Sequence, residues 1–200
     1  MGVFSPNSFL SKLQHGGALQ SLFNVTITQP TTLTGTGITG GVADYQYMTK
    51  GATFPESTIT ATPISYMGRE IQIPGNREST QWTNTVYNDE DFLVRNMLTD
   101  WMEKINSWSN NNRAANWDAH SAYVGTLIVS GFKKTSVDLT AAQSYTFQNC
   151  WPSSVGEITL DWETNEIQEY EVTWEYGWWE VTKATASTAN AGGTGQTPNS

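Results

Sequence analysis

The sequence has a single cysteine, two histidines and barely half as many basic as acidic side chains, and each shortage removes a class of function. With Cys150 alone, no internal disulfide can form and no thiolate cluster can hold zinc or iron and sulfur. A buried structural thiol is the expectation. His15 and His120 lie in glycine-rich or polar segments, without the acidic, cysteine or serine neighbours of a catalytic relay, and are expected in solvent. Lys and Arg number 10 against 19 Asp and Glu, a formal net charge of −9, which opposes binding to nucleic-acid phosphates by counterion displacement. No run approaches the roughly 18 apolar residues of a membrane span. The amino terminus MGVFSPNSFLSKLQHGG has no basic region leading into an apolar one, so neither a membrane anchor nor a signal peptide is expected. Charge of either sign is scarce, at 14% of residues, while nine Trp, eight Tyr and seven Phe need dry surroundings or contacts. That imbalance predicts buried interfaces.

What is present reads as mainly β. A chain of 200 residues suits one domain, here 1–183, with a low-complexity tail over 184–200. Such a tail is expected to lie against another copy or partner if it is ordered. In SLFNVTIT, Phe23, Val25 and Ile27 alternate with Asn24, Thr26 and Thr28, the period of a half-buried strand. The Asn24-Val25-Thr26 glycosylation sequon falls inside that strand and is taken as chance. Residues 29–44, QPTTLTGTGITGGVAD, are rich in Gly and Thr and read as a long loop, after which YQYMTK resumes alternation. Residues 64–87 carry more strands, with a break expected at Pro74-Gly75-Asn76.

One helix is expected, near 89–108, where Val94, Leu98, Trp101, Ile105 and Trp108 follow a 4-3-4-3 spacing. Asn88 or Asp89 can cap it, and Asp89, Glu90 and Asp91 suit the dipole at its start. Strands return at YVGTLIVSGF and QSYTFQNCW, followed by an expected hairpin, GEITLDWE and QEYEVTWEY, turning at Thr164-Asn165. In that hairpin Ile158, Leu160, Trp162, Tyr170, Val172 and Trp174 would face the core. Glu157, Asp161, Glu163, Glu169, Glu171 and Glu175 would form an acidic plate on the other face.

Little of this supports ligand chemistry. Gly35, Gly37 and Gly40 have the G-x-G-x-x-G spacing of a pyrophosphate cradle, but that site needs a helix opening at the last glycine, and GVADYQYMTK reads as a strand. Like-facing acids on a strand are more often a solvated face than a glycosidase pair, whose two carboxyls need environments that part their pKa values. No catalytic residue, cofactor or metal site is assigned. A carbohydrate-binding β-sandwich is the alternative that the Trp content and acidic surface would also fit.

Two blocks carry a family likeness. WPSSVGEITLDWETNEIQEYEVTWEYGWWEV, residues 151–181, and YMGREIQIPGNRESTQWTNTVYNDED, residues 66–91, resemble the tail tube proteins of contractile-tailed bacteriophages. The first holds a Trp-Pro-x-x-Val-Gly-Glu turn, Leu-Asp-Trp, Asn-Glu-Ile and a Glu-Val-Thr strand. The second holds a Met-x-Arg hairpin, a Gly-x-Arg turn, a Trp-containing strand and an Asn-Asp-Glu helix start. The chain is also similar in plan to type VI secretion tube proteins. The resemblance implies a β-sandwich or barrel with one flanking helix, forming hexameric rings that stack into a tube inside a contractile sheath. It implies a non-enzymatic virion protein, made in the host cytoplasm, that serves as a conduit for DNA ejection. Its partners would be further copies of itself, the sheath protein, baseplate and tail-terminator proteins, and the tape-measure protein and genomic DNA in the lumen, without sequence-specific binding. The acidic plate would face the lumen or the sheath. Residues Thr34, Gly35, Thr36, Gly37, Ile38, Thr39 and Gly40, in a loop longer than a simple hairpin turn, are expected to reach a neighbouring subunit.

Overall fold

One fifteen-residue strand organises the fold. The structure is a computed structural model that describes residues 6–13, 17–33, 40–134 and 141–183. Its strands are β1 (Phe23–Thr28), β2 (Thr49–Ala52), β3 (Thr58–Tyr66), β4 (Arg69–Glu78), β5 (Trp82–Tyr87), β6 (Gly125–Phe132), β7 (Ala141–Val155), β8 (Glu169–Glu175) and β9 (Trp178–Lys183). Its helices are α1 (Pro6–Lys12), α2 (Gly40–Met48), α3 (Leu93–Ile105) and α4 (His120–Tyr123). Seven strands run in the order β1-β6-β7-β8-β5-β2, with β9 also on β7, and β3 and β4 form a separate pair. Every pairing among the described residues is antiparallel.

Strand β7 belongs to two sheets. Its first half pairs β9 through Gln148 and β6 through Cys150, and its second half pairs β8 from Trp151 onward. Asn149 is the extra residue between them, because Gly125 faces Cys150 and Thr126 faces Gln148. Its φ of 56° is a left-handed conformation that Asn tolerates better than most residues, and such a bulge bends and twists a strand. Pro152, which cannot donate to a ladder, sits beside a second register shift. The Trp151–Val155 stretch, expected as a turn, is therefore the end of a strand. The two half-sheets fold toward each other without closing into a barrel, since β1 and β2 end the strand order without pairing.

The alternating residues fill the space between. Val25, Ile27, Leu127, Val129 and Phe147 meet Trp82, Val86, Tyr170, Val172 and Trp174, and α3 closes one side with Val94, Met97, Leu98 and Trp101. Trp101 stands edge-on to Trp174 at 5.8 Å and donates its indole N–H to the Tyr123 carbonyl at 2.8 Å. Buried Asn84 accepts at Oδ1 from Tyr45 Oη at 2.8 Å and from Trp174 Nε1 at 3.1 Å, tying α2, β5 and β8 together. Cys150 is buried and its thiol donates to the Gly125 carbonyl at 3.3 Å. His120 is exposed.

Several expectations are corrected. GVADYQYM is a helix: Val42, Tyr45 and Met48 recur every three residues toward the core, while Tyr47 is exposed. Gly41 permits that helix to lie against α3, since a Cβ there would meet the Leu93 carbonyl oxygen at 2.7 Å and Met97 Cβ at 2.9 Å. Two substantial helices thus flank the sheets, and residues 40–44 leave the expected loop. Helix α3 is shorter than 89–108: its N-cap is Phe92, left-handed and without a side-chain cap hydrogen bond, although Asp89 Oδ2, three residues earlier, accepts from the Leu93 N–H at 3.1 Å, and Asn106 is extended and ends the helix. Trp108 lies beyond it in solvent. Pro74-Gly75-Asn76 does not end the strand but lies inside β4, where the pairing with β3 shifts register between Pro74 and Arg77; the chain reverses at Met67-Gly68 instead.

Candidate assembly surfaces

The strands β3 and β4 form an arm that the rest of the described residues leave uncovered. All their residues are exposed. Tyr66 faces Arg69, Ile64 faces Ile71, and Thr62 faces Ile73. Directly paired residues share a face, so Ile64, Tyr66, Ile71 and Ile73 make one apolar stripe along the arm. Met67 and Gly68 turn it with φ values of 47° and 73°, the sign pattern of a two-residue type I′ turn. Methionine in that left-handed region is strained, and its side chain is 87% exposed at the tip. An isolated two-stranded hairpin is marginal in water. The arm departs from the body between β2 and β5, where Trp82 Nε1 donates to the Thr53 carbonyl at 2.7 Å and Arg77 lies over the Trp179 ring at 5.9 Å.

The acidic residues lie on two different elements. Strand β8 buries Tyr170, Val172 and Trp174, as expected, and turns Glu169 and Glu171 outward, with Glu175 half-buried. Its partners are β5 and the end of β7, not a strand made of GEITLDWE. Lys50 pairs with Glu169, and that hydrogen bond holds the Lys50 ammonium above its ordinary pKa. Glu157, Asp161 and Glu163 sit in a strandless segment, residues 156–168. It is anchored at both ends: the Gly156 N–H donates to the Glu171 carbonyl at 2.7 Å and the Asn88 N–H to the Gln168 carbonyl at 2.9 Å. Between these anchors Leu160, Trp162 and Ile167 stand in solvent, Trp162 completely. The expected plate and its apolar underside are thereby corrected. With β7 carried on through Val155, β8 already has a partner on each side, and GEITLDWE has no free edge to pair with.

A third surface is a groove of about 580 Å³ between the unpaired edges β1 and β2, lined in part by Leu19, Leu22, Phe23, Phe54, Val129 and Phe132. Sequence reasoning missed it, because it arises where two distant strands fail to pair.

Of the glycine-rich segment, 34–39 lie outside the described residues, as do His15 and 184–200. Gly40 opens α2, so the ground for setting aside a pyrophosphate cradle does not hold. The topology supplies another: the fingerprint belongs to a parallel βαβ unit, and α2 leads into β2, which pairs antiparallel with β5. Among the described residues no group of three or more His, Cys, Asp or Glu is placed to hold a metal ion. No helix among them is long and apolar enough to cross a membrane.

The fold has solved counterparts. A component of the anti-feeding prophage cap, the tube-terminating cap, superposes with a TM-score of 0.59 at 15% identity, covering 84% of this chain and 91% of that one. A chain of the sheath-tube complex of an extracellular contractile injection system does so at 0.57 and 13%, covering 90% and 99%. In sequence, the tail tube protein gp19 of Enterobacteria phage T4 is 30% identical over 138 residues, 68% of this chain and 82% of that protein. The counterpart in Enterobacteria phage T6 matches to the same extent. The phage tail tube protein family matches residues 18–182, and with the antiparallel body, projecting arm and flanking helices already in place, the chain belongs to that family.

Proposed function

We propose that the chain assembles into sixfold rings that stack as the inner tube of a contractile tail, within a sheath, and that the tube conducts DNA into the host. The observation that carries this reading is the β3–β4 arm, whose apolar stripe is exposed among the described residues. Such a surface on a soluble monomer marks an interaction site. A second copy is the natural occupant in a chain that must repeat. The unpaired edges β1 and β2 are further association sites. Baseplate and terminator proteins would occupy the two ends of the stack.

The charge balance suits passage of DNA. A wall built from chains of net charge −9 makes few counterion-releasing contacts with phosphates, so a duplex can slide. The test is electron microscopy and sedimentation of concentrated pure protein. Rings and tubes are expected for the natural sequence, and monomers for Ile64→Arg with Ile71→Arg. Persistent monomers of the natural sequence would sink the proposal.

A further inference from the structure

We infer that the segment 156–168 of one copy docks into the groove between β1 and β2 of the next, forming the contact that stacks subunits head to tail. The inference rests on the tube reading and names one of its interfaces. The segment presents Leu160, Trp162 and Ile167 to solvent. Around them stand Glu157, Asp161, Glu163 and Glu166, with no basic residue between 157 and 168. Asp161 Oδ1 accepts from the Glu163 N–H at 3.0 Å, which fixes the local turn beside Trp162.

The groove is the complement in both respects. Its lining is mainly apolar, with Leu22, Phe23, Val129 and Phe132 among its walls. Basic residues adjoin it among the described residues: Lys133 and Lys134 follow its wall residue Phe132 directly, and both are exposed. Phe23, Gly131, Gln143 and Lys183 form one row across β1, β6, β7 and β9. Paired residues share a face, and the first three line the groove, so Lys183 stands on the groove side. These three lysines have no ion-pair partner among the described residues. Three of the chain's ten basic side chains thus stand beside an apolar groove that an acidic, tryptophan-bearing segment could fill, and a fourth, Lys50, lines it while paired with Glu169.

Geometry sets the direction of the contact. The groove is lined by Ala142 and Gln143 at the start of β7, whereas the segment departs from the end of β7, after Val155. Trp162 is wholly exposed, so the segment does not occupy its own chain's groove. Complementary surfaces at opposite ends of one strand make a heterologous contact, which propagates rather than closing as a two-fold dimer.

The test uses the full chain, with sedimentation velocity and electron microscopy as readouts. Trp162→Ala should raise the concentration needed for stacking by about tenfold or more, as loss of a central aromatic anchor does, with no change in the unfolding midpoint. Asp161→Lys with Glu163→Lys should do the same, and so should Lys133→Glu with Lys134→Glu. The two reversals combined in one chain should restore stacking. Mixed chains carrying Leu160→Cys and Lys133→Cys should cross-link to each other on oxidation. Stacking by the loop-reversed chain at the natural concentration, or no cross-link between mixed chains, overturns the contact alone. A natural chain that stays monomeric overturns the tube reading with it.

Discussion

Replacing Asn84 by alanine should reveal how the body beneath the arm is held. Asn84 Oδ1 accepts from Tyr45 Oη at 2.8 Å and from Trp174 Nε1 at 3.1 Å, and both aromatic side chains are buried. Asn84→Ala strands two donors away from water, at roughly 1–3 kcal/mol each. A loss of about 4 kcal/mol in unfolding free energy is expected. Tyr45→Phe alone should cost only about 1 kcal/mol, because the Asn84 oxygen keeps its bond from Trp174. In the Asn84→Ala background the same change removes an orphaned hydroxyl and should be neutral or stabilising. The coupling between the two sites is then about 1 kcal/mol or more. Urea unfolding followed by tryptophan fluorescence, at concentrations too low for assembly, measures all four corners of this cycle. If Tyr45→Phe costs the same in both backgrounds to within about 0.5 kcal/mol, the shared-acceptor account is wrong. Strand β5, which carries Asn84, also roots the arm, so Asn84→Ala should weaken tube assembly as well.

Gly41→Ala should destabilise by about 1–3 kcal/mol, because the contacts waiting for its Cβ include the Leu93 carbonyl oxygen at 2.7 Å, backbone that cannot swing aside; thermal unfolding checks it. Trp101→Ala should cost about 3–5 kcal/mol, whereas Trp108→Ala, at a side chain 76% exposed, should change stability by under about 0.5 kcal/mol. Equal losses in chemical denaturation would refute that contrast. Burial pushes the Cys150 thiol from 9.0 up to about 12, so the unfolded chain sheds this proton before the folded one. The stabilising contribution is complete below pH 9 and is lost as pH rises toward about 12. Unfolding midpoints should therefore fall more steeply above pH 9 for the natural chain than for Cys150→Ala, and the native thiol should resist iodoacetamide at neutral pH.

The sequence by itself determined the elements whose signal is local. Period-two alternation placed β1 and β8 with their buried faces, since a one-residue slip would turn every apolar side chain to water, and marked β5 and β6 as strands. The spacing from Val94 to Ile105 placed α3, and a contact of Asp89 with the start of the helix was legible because it is local, though the cap position itself falls to Phe92. The motif blocks at 66–91 and 151–181 carried the family. Tertiary structure decided the rest. Tyr45 and Tyr47 look alike in sequence, yet only packing on β1 and α3 makes that stretch a helix with Tyr45 inward and Tyr47 outward. GEITLDWE alternates as a strand should, yet β7 runs on past its bulge at Asn149 to pair with β8. Trp162 is thereby left in solvent. Strand pairing is non-local: an alternating pattern offers two edges, and which partner takes them depends on residues far away in the chain. For the same reason the groove between β1 and β2 has no signature in any single stretch; it exists because two edges, each satisfied on one side, do not meet.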